Sequence, residues 1–283
     1  MPNLKDLIRR IHTSSSKRLP FRLPQELVDL IVSYIYDINT LISCTMACSS
    51  LYYAATPHLH YSFKITYARS SKGPDIWLKP FQGSYDHQLL SHVKRFNLTH
   101  HSKDTGITPV LLDGLFHNYS LALKNLRELR IDGLDLFSCM PNIKSYFGHF
   151  APTLQSLTLS SPKTSCWQIL YFIGVFPKLH DLKLCNVFFH QSGAGFAHIT
   201  PSKPPLQGCL TLERVAGGNV FVDNMITLYG RLRFHQMDLY EVKGMQQVLD
   251  SCAETLEKLR LKPFNQNGEN VFGHRGRAEL NDL

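Results

Sequence analysis

A six-residue spelling, apolar-x-x-apolar-x-apolar, recurs from His92 onward and constrains the fold more than any other feature of the chain. It appears as Val93-Phe96-Leu98, Leu126-Leu129-Ile131, Leu154-Leu157-Leu159, Leu179-Leu182-Leu184, Phe234-Met237-Leu239 and Leu256-Leu259-Leu261. A degraded copy begins at Leu212 with Val215 and loses the pattern at Gly217. Counting it, successive starts are 33, 28, 25, 33, 22 and 22 residues apart, a period that marks stacked structural repeats. Extended chain alternates faces, so Leu129-Arg130-Ile131 and Leu182-Lys183-Leu184 send two side chains inward and one outward.

The stretches between copies have room to return as helices. Thr108 and Pro109 open a helix toward Leu123 with Val110, Leu111, Leu115 and Phe116 as its apolar positions. Ser165 caps a second from Trp167 to Phe176, and Met245 to Ala253 brings Val248 and Leu249 to one face. Gln191 to Gly208, rich in Gly, Pro and Ser, reads as an inserted loop. The expected fold class is therefore α/β: strand, turn and helix repeated as a solenoid, with a curved parallel sheet and outer helices, over residues 92–262.

Ahead of the repeats the pattern is helical and short. Pro24 suits a first helical turn and Glu26 favours the positive helix end. Leu27, Leu30, Ile31, Tyr34 and Ile35 recur at i, i+3, i+4, i+7 and i+8, which is one apolar face. Asp37 or Asn39 caps a second helix carrying Leu41, Ile42, Thr45, Cys48 and Leu51, with Cys44, Ala47 and Cys48 small enough for close packing. Pro57 closes that helix, and Leu59 to Ile65 exits into extended chain. A unit of this size is marginal alone and gains stability by burying a face on a partner or on the next domain.

Leu23-Pro24-Gln25-Glu26-Leu27, then Ile31, Leu41, Cys44, Cys48, Tyr52, Tyr53, Pro57, Leu59 and Ile65, resembles an F-box of the variety common in fungi, with Tyr52 and Tyr53 where many F-boxes carry Trp. The resemblance implies that residues 23–65 dock onto a Skp-type adaptor, and through it onto a cullin-based, SCF-type ubiquitin ligase. It implies Leu23, Pro24, Leu27, Ile31, Ile35, Leu41 and Leu51 as the adaptor-binding residues. The later spelling resembles the irregular leucine-rich repeats that often follow an F-box. Regular repeats place Asn three residues after the last strand Leu, whereas this chain has His101, Leu134, Pro162, Val187, Val242 and Phe264. Other groups must then satisfy the backbone there, and the arc should be uneven.

Composition bounds the remaining possibilities. The 283 residues are 43% hydrophobic and 18% charged, with a net charge of +8. No apolar run reaches the roughly 20 residues of a membrane span, so no membrane partner is expected. Seven cysteines without a CxxC fit a reducing compartment, cytoplasmic or nuclear. Residues 1–22 hold Lys5, Arg9, Arg10, Lys17, Arg18 and Arg22 against Asp6 and read as a basic flexible tail, with a targeting signal as the rarer alternative. Residues 66–91 read as a linker and 263–283 as a loose tail. Elsewhere the charge is too dispersed for a nucleic-acid groove.

GxSxG, GxxxxGK[ST], HExxH and GxGxxG are all missing, so neither catalytic residues nor a cofactor is expected. The histidines His58, His60, His100 and His101 lack a companion cluster, and Cys44 with Cys48 suits core packing better than a metal face. The remaining candidate surface is the outward row of the strands, where Arg95, Arg130, Lys183, Lys258 and Arg260 are the residues expected to bind a protein target. Two functional expectations result. One is a non-catalytic substrate receptor of an SCF-type ligase. The other is an interaction scaffold whose F-box-like helices only cap the solenoid.

Overall fold

In the computed structural model, the hexad copies pair with one another in chain order. The structure describes residues 23–67, 90–100, 107, 109, 112–113, 115–116, 123–189, 206–216, 218–229, 232–240 and 245–262. Expectations for residues 1–22, the loop before Leu206, the tail after Lys262 and most of the linker and of the helix from Pro109 fall outside these residues.

The strands are β1 (Ser62–Tyr67), β2 (Arg95–His100), β3 (Glu128–Asp132), β4 (Ser156–Ser160), β5 (Lys163–Thr164), β6 (Asp181–Phe189), β7 (Gln207–Ala216), β8 (Arg233–Tyr240) and β9 (Lys258–Lys262). They form one open parallel sheet of nine strands in the order β1-β2-β3-β4-β6-β7-β8-β9, with short β5 beside β6. One register row runs Phe63, Phe96, Leu129, Leu157, Leu182, Leu210, Met237, Leu259, and the next inward row runs Ile65, Leu98, Ile131, Leu159, Leu184, Leu212, Leu239, Leu261. Most of these side chains are buried, and each contributes roughly 1.5–3 kcal/mol by leaving water.

Two departures from the sequence expectation concern this ladder. The sheet starts one strand earlier, because Ser62–Tyr67 pairs with β2 instead of only leaving the helices. In β7 the inward pair is Leu210 and Leu212, in register with Leu182 and Leu184, so the degraded copy starts at Gln207, five residues before the expected Leu212. A register shift at Gly208/Cys209 in the pairing with β8 hides that phase. Gln207 and Gly208 therefore belong to the strand and not to the inserted loop.

The same bend recurs at one register position, ending β3 and β4 and interrupting β6 and β7. Asp132, Ser160, Cys185 and Glu213 are register partners, and the residues after them, Gly133, Ser161, Asn186 and Arg214, all have left-handed φ of 78°, 49°, 52° and 53°. Glycine adopts this conformation without strain, whereas a side chain there costs about 1 kcal/mol. Where regular repeats use Asn, this backbone pairs with itself. Gly133 N donates to Ser160 O at 2.8 Å, Ser161 N to Cys185 O at 2.9 Å and Lys163 N to Leu134 O at 2.8 Å. Before β3, β4 and β9, side chains reach back one repeat: Asn125 Nδ2 to Ser91 O, Thr153 Oγ1 to Lys124 O and Thr255 Oγ1 to Phe234 O, at 2.8, 3.1 and 3.2 Å.

Beyond the inward face lie α4 (Leu136–Cys139), a 3-10 turn (Met140–Asn142), α5 (Ile143–Phe147), α6 (Cys166–Ile173), α7 (Gly218–Tyr229) and α8 (Met245–Cys252). Ser165 stands at the start of α6, where its backbone N–H donates to Gln168 Oε1 at 2.9 Å. Phenylalanines link the layers. Phe63 stacks on Phe96, Phe96 meets Phe116, Phe116 meets Phe147, and Phe147 meets Phe172, with centroids 5.8, 6.2, 5.1 and 5.0 Å apart.

The N-terminal unit has a core of its own. It comprises α1 (Gln25–Ser33), α2 (Ile38–Ala47) and α3 (Ser49–Leu59). Both α1 and α2 pack on α3, burying Val28, Val32, Leu41, Ala54 and Ala55, with Ile35, Cys44, Leu51 and Leu59 half-buried around them. Asp37 is the N-cap of α2, accepting from Thr40 N at 2.8 Å and from Thr40 Oγ1 at 2.6 Å. These hydrogen bonds hold its carboxyl below the usual range. The second helix expected from sequence is two helices, because Cys48 adopts extended φ and ψ and ends α2. Pro57 does not close the segment but lies inside the last turn of α3.

Candidate protein-docking surfaces

The first surface arises from an inversion of the helical amphipathicity. A strip of large apolar residues at helical spacing ordinarily faces the core, yet α1 turns its two valines inward. Leu27, Leu30, Ile31 and Tyr34 stay 45%, 53%, 52% and 69% exposed. Ile38, Ile42 and Met46 of α2 and Tyr53 of α3 are exposed as well, and Leu23 and Pro24 lie open just before α1. Hydrocarbon left in water on three helices at once makes a candidate docking face, since isolated exposed residues need no explanation but a set of this size does. Glu26 and Asp29, both exposed, edge it with negative charge.

Of the residues expected to bind an adaptor, Leu23, Pro24, Leu27 and Ile31 belong to this face. Leu41 does not: it is 5% exposed and forms part of the helical core. Ile35 and Leu51 are half-buried against that core, so they support the face from beneath. Leu30, Tyr34, Ile38, Ile42, Met46 and Tyr53 were absent from the expected set. Leu30 and Tyr34 share the periodicity that singled out Leu27 and Ile31.

The second surface is the sheet face opposite the core. Its middle row runs Lys64, Asn97, Arg130, Thr158, Lys183, Thr211, Asp238, Arg260 across β1 to β9. The row before it runs Ser62, Arg95, Glu128, Ser156, Asp181, Cys209, Gln236, Lys258. All five expected target-binding cations are on this face and exposed, but three are engaged. Arg95 Nε meets Glu128 Oε2 at 2.5 Å, Lys183 lies 3.7 Å from Glu213, and Arg260 lies 3.7 Å from Asp238. The hydrogen bond to Glu128 raises the Arg95 pKa further. Tyr61 joins the same group: its hydroxyl donates to Glu128 Oε1 at 3.0 Å while Arg95 sits 5.6 Å and Lys94 6.0 Å from its ring centroid. Burial, then the bond to Glu128, pushes the Tyr61 phenol up. Sequence reasoning missed Tyr61 and Lys64 because the first strand was not recognised as part of the sheet, and Lys94 and Arg127 because they precede the positions flanking the middle apolar residue of each copy.

The cysteines are free thiols. Burial pushes Cys139 up to about 12 and Cys166 to about 11, and burial with Asp181 beside it pushes Cys209 to about 11, so these three stay protonated at neutral pH. Cys48, expected in a packed helix interior, is exposed at the junction of α2 and α3. Among the described residues no three His, Cys, Asp or Glu side chains are placed to hold a metal ion, and no helix is long and apolar enough to cross a membrane. Neither the known protein-family models nor the curated proteins include a match to this chain.

Proposed function

We propose that the chain is a substrate-recognition adaptor of an SCF-type E3 ubiquitin ligase: the unit at 23–59 acts as an F-box that docks onto a Skp-type adaptor, and the parallel sheet, as an irregular leucine-rich-repeat solenoid, holds a protein target. The observation that carries this reading is the outward-facing strip of Leu27, Leu30, Ile31 and Tyr34 on a unit that keeps a separate core. A helical cap that only closed the solenoid would turn that strip onto the sheet, so its exposure favours a partner. The chain itself needs no acid-base chemistry in this role, because holding a target beside the ubiquitin-loaded partner raises transfer through effective concentration.

Co-expression with a Skp-type adaptor tests the proposal. The two should co-elute, and Leu27→Asp with Ile31→Asp should abolish co-elution while shifting the chain's own stability by less than about 0.5 kcal/mol, since both positions face water. Failure of the wild-type chain to co-elute, or co-elution of the double variant, overturns it.

A further inference from the structure

Charge is distributed unevenly over the face opposite the core, and the middle row carries a period. Lys64, Arg130 and Lys183 stand on β1, β3 and β6, each two strands from the next in the pairing order, with Asn97 and Thr158 between them. Strands in a sheet lie roughly 4.8 Å apart, so these cations repeat at about 9.6 Å. No carboxylate enters the row until Asp238 on β8. A polyproline-type extended chain advances about 3.1 Å per residue with three residues per turn, which brings every third side chain to the same side at about 9.3 Å. The two periods match.

Resting on the reading of this face as the target-binding surface, we propose that its ligand is an extended segment of the target, lying across the strands in polyproline conformation, with a carboxylate side chain at every third position opposite Lys64, Arg130 and Lys183. Polyproline backbone has no internal hydrogen bonds, and the amide of Asn97 and hydroxyl of Thr158 lie between the cations to meet its carbonyls and N–H groups. The surrounding charges favour the same ligand. Lys94 and Arg127 stand immediately before β2 and β3. Of the nearby carboxylates, Glu128 is occupied by Arg95 and Tyr61. Asp132 and Asp181 lie in the flanking rows, and Glu213 is shared between Lys183 at 3.7 Å and Arg214 at 3.8 Å. At the other end, Asp238 lies in the row itself, 3.7 Å from Arg260, so β7 to β9 offer no comparable attraction.

The probes are two fluorescent peptides of one composition, proline-rich with four glutamates, spaced every third residue in one and contiguous in the other. Anisotropy with the full chain at low salt should show the spaced peptide binding at least about tenfold more tightly, a difference near 1.4 kcal/mol. Lys64→Gln with Arg130→Gln should weaken it by about tenfold or more, Lys64→Arg with Arg130→Lys should retain it, and Lys258→Gln with Arg260→Gln should leave it within about twofold. Equal binding of the two peptides, or a larger loss in the β9 variant than in the β1/β3 variant, overturns the inference. So does displacement of the peptide by single-stranded RNA at lower concentration. Co-elution with the Skp-type adaptor, measured on the same preparations, separates the two ideas. Lost peptide binding with intact co-elution refutes this ligand alone, and the converse refutes the ligase reading alone.

Discussion

The two regions of this chain treat their hydrocarbon in opposite ways. In the sheet, repeat after repeat puts its largest apolar residues inside, so that Phe147, Phe150, Phe172, Phe221 and Phe234 are all but sealed from solvent. In the helical unit the buried apolar residues are two valines, one leucine and two alanines, while Leu, Ile, Met and Tyr side chains stay in water. Each sheet strand is buried by its neighbours, so the repeats need nothing outside themselves. Three short helices cannot bury both faces. The unit keeps the smaller side chains for its own cohesion and leaves the larger ones in water, where the proposed adaptor would cover them.

The sharpest way to break this contrast is to remove the aromatic at the centre of the sheet's layer. Phe147→Ala, which leaves a void among Phe116, Phe150, Phe172 and Phe176, should cost about 3–5 kcal/mol in chemical denaturation, whereas the exposed helical pair should cost almost nothing. Gly208→Ala comes next. Gly208 has φ +102°, and a Cβ there would stand 2.0 Å from His180 O, so backbone must shift between β6 and β7. A loss of about 2–3 kcal/mol in urea titration is expected. Ser161→Gly acts the other way: relieving a left-handed serine at the bend after β4 should raise stability by about 0.5–1 kcal/mol in thermal melts.

The smallest effect concerns the helical unit and acid. Because the Asp37 pKa is lowered in the folded chain, its contribution is complete above the unfolded value of 3.8 and is lost as pH falls through the lower folded value. Asp37→Asn should remove that dependence from the far-ultraviolet circular dichroism of the helices below pH 4, leaving the sheet transition unchanged.

The sheet was largely legible because each hexad copy names its own inward pair, as Leu157 and Leu159 or Leu182 and Leu184 do. The first strand escaped because the residue three before Phe63 is His60, so the spelling is incomplete. β7 was misphased because Gln207 stands where the leading apolar residue belongs and the register slips at Gly208/Cys209. The helical unit was legible as helices but not as to which side faces inward. Periodicity finds the strip with the most hydrocarbon, and Leu27, Leu30, Ile31 and Tyr34 outweigh Val28 and Val32 on any hydropathy scale. Only a fold in which α3 presents Ala54 and Ala55 reveals that valine is the size that fits. The break at Cys48 was equally invisible, since neither Gly nor Pro marks it.

An open sheet has two ends, and β9 is one of them. Among the described residues no strand pairs with its outer edge, where Leu261 is 47% exposed, and such a rim invites a second molecule to add its own strand. The alternation Lys258, Leu259, Arg260, Leu261, Lys262 places a cation at every other position, and like charges brought face to face repel any copy approaching in register. Lys258 and Arg260 then act as guards against unwanted polymerisation, and exchanging both for valine, an apolar strand former, should make the purified chain prone to forming fibrils.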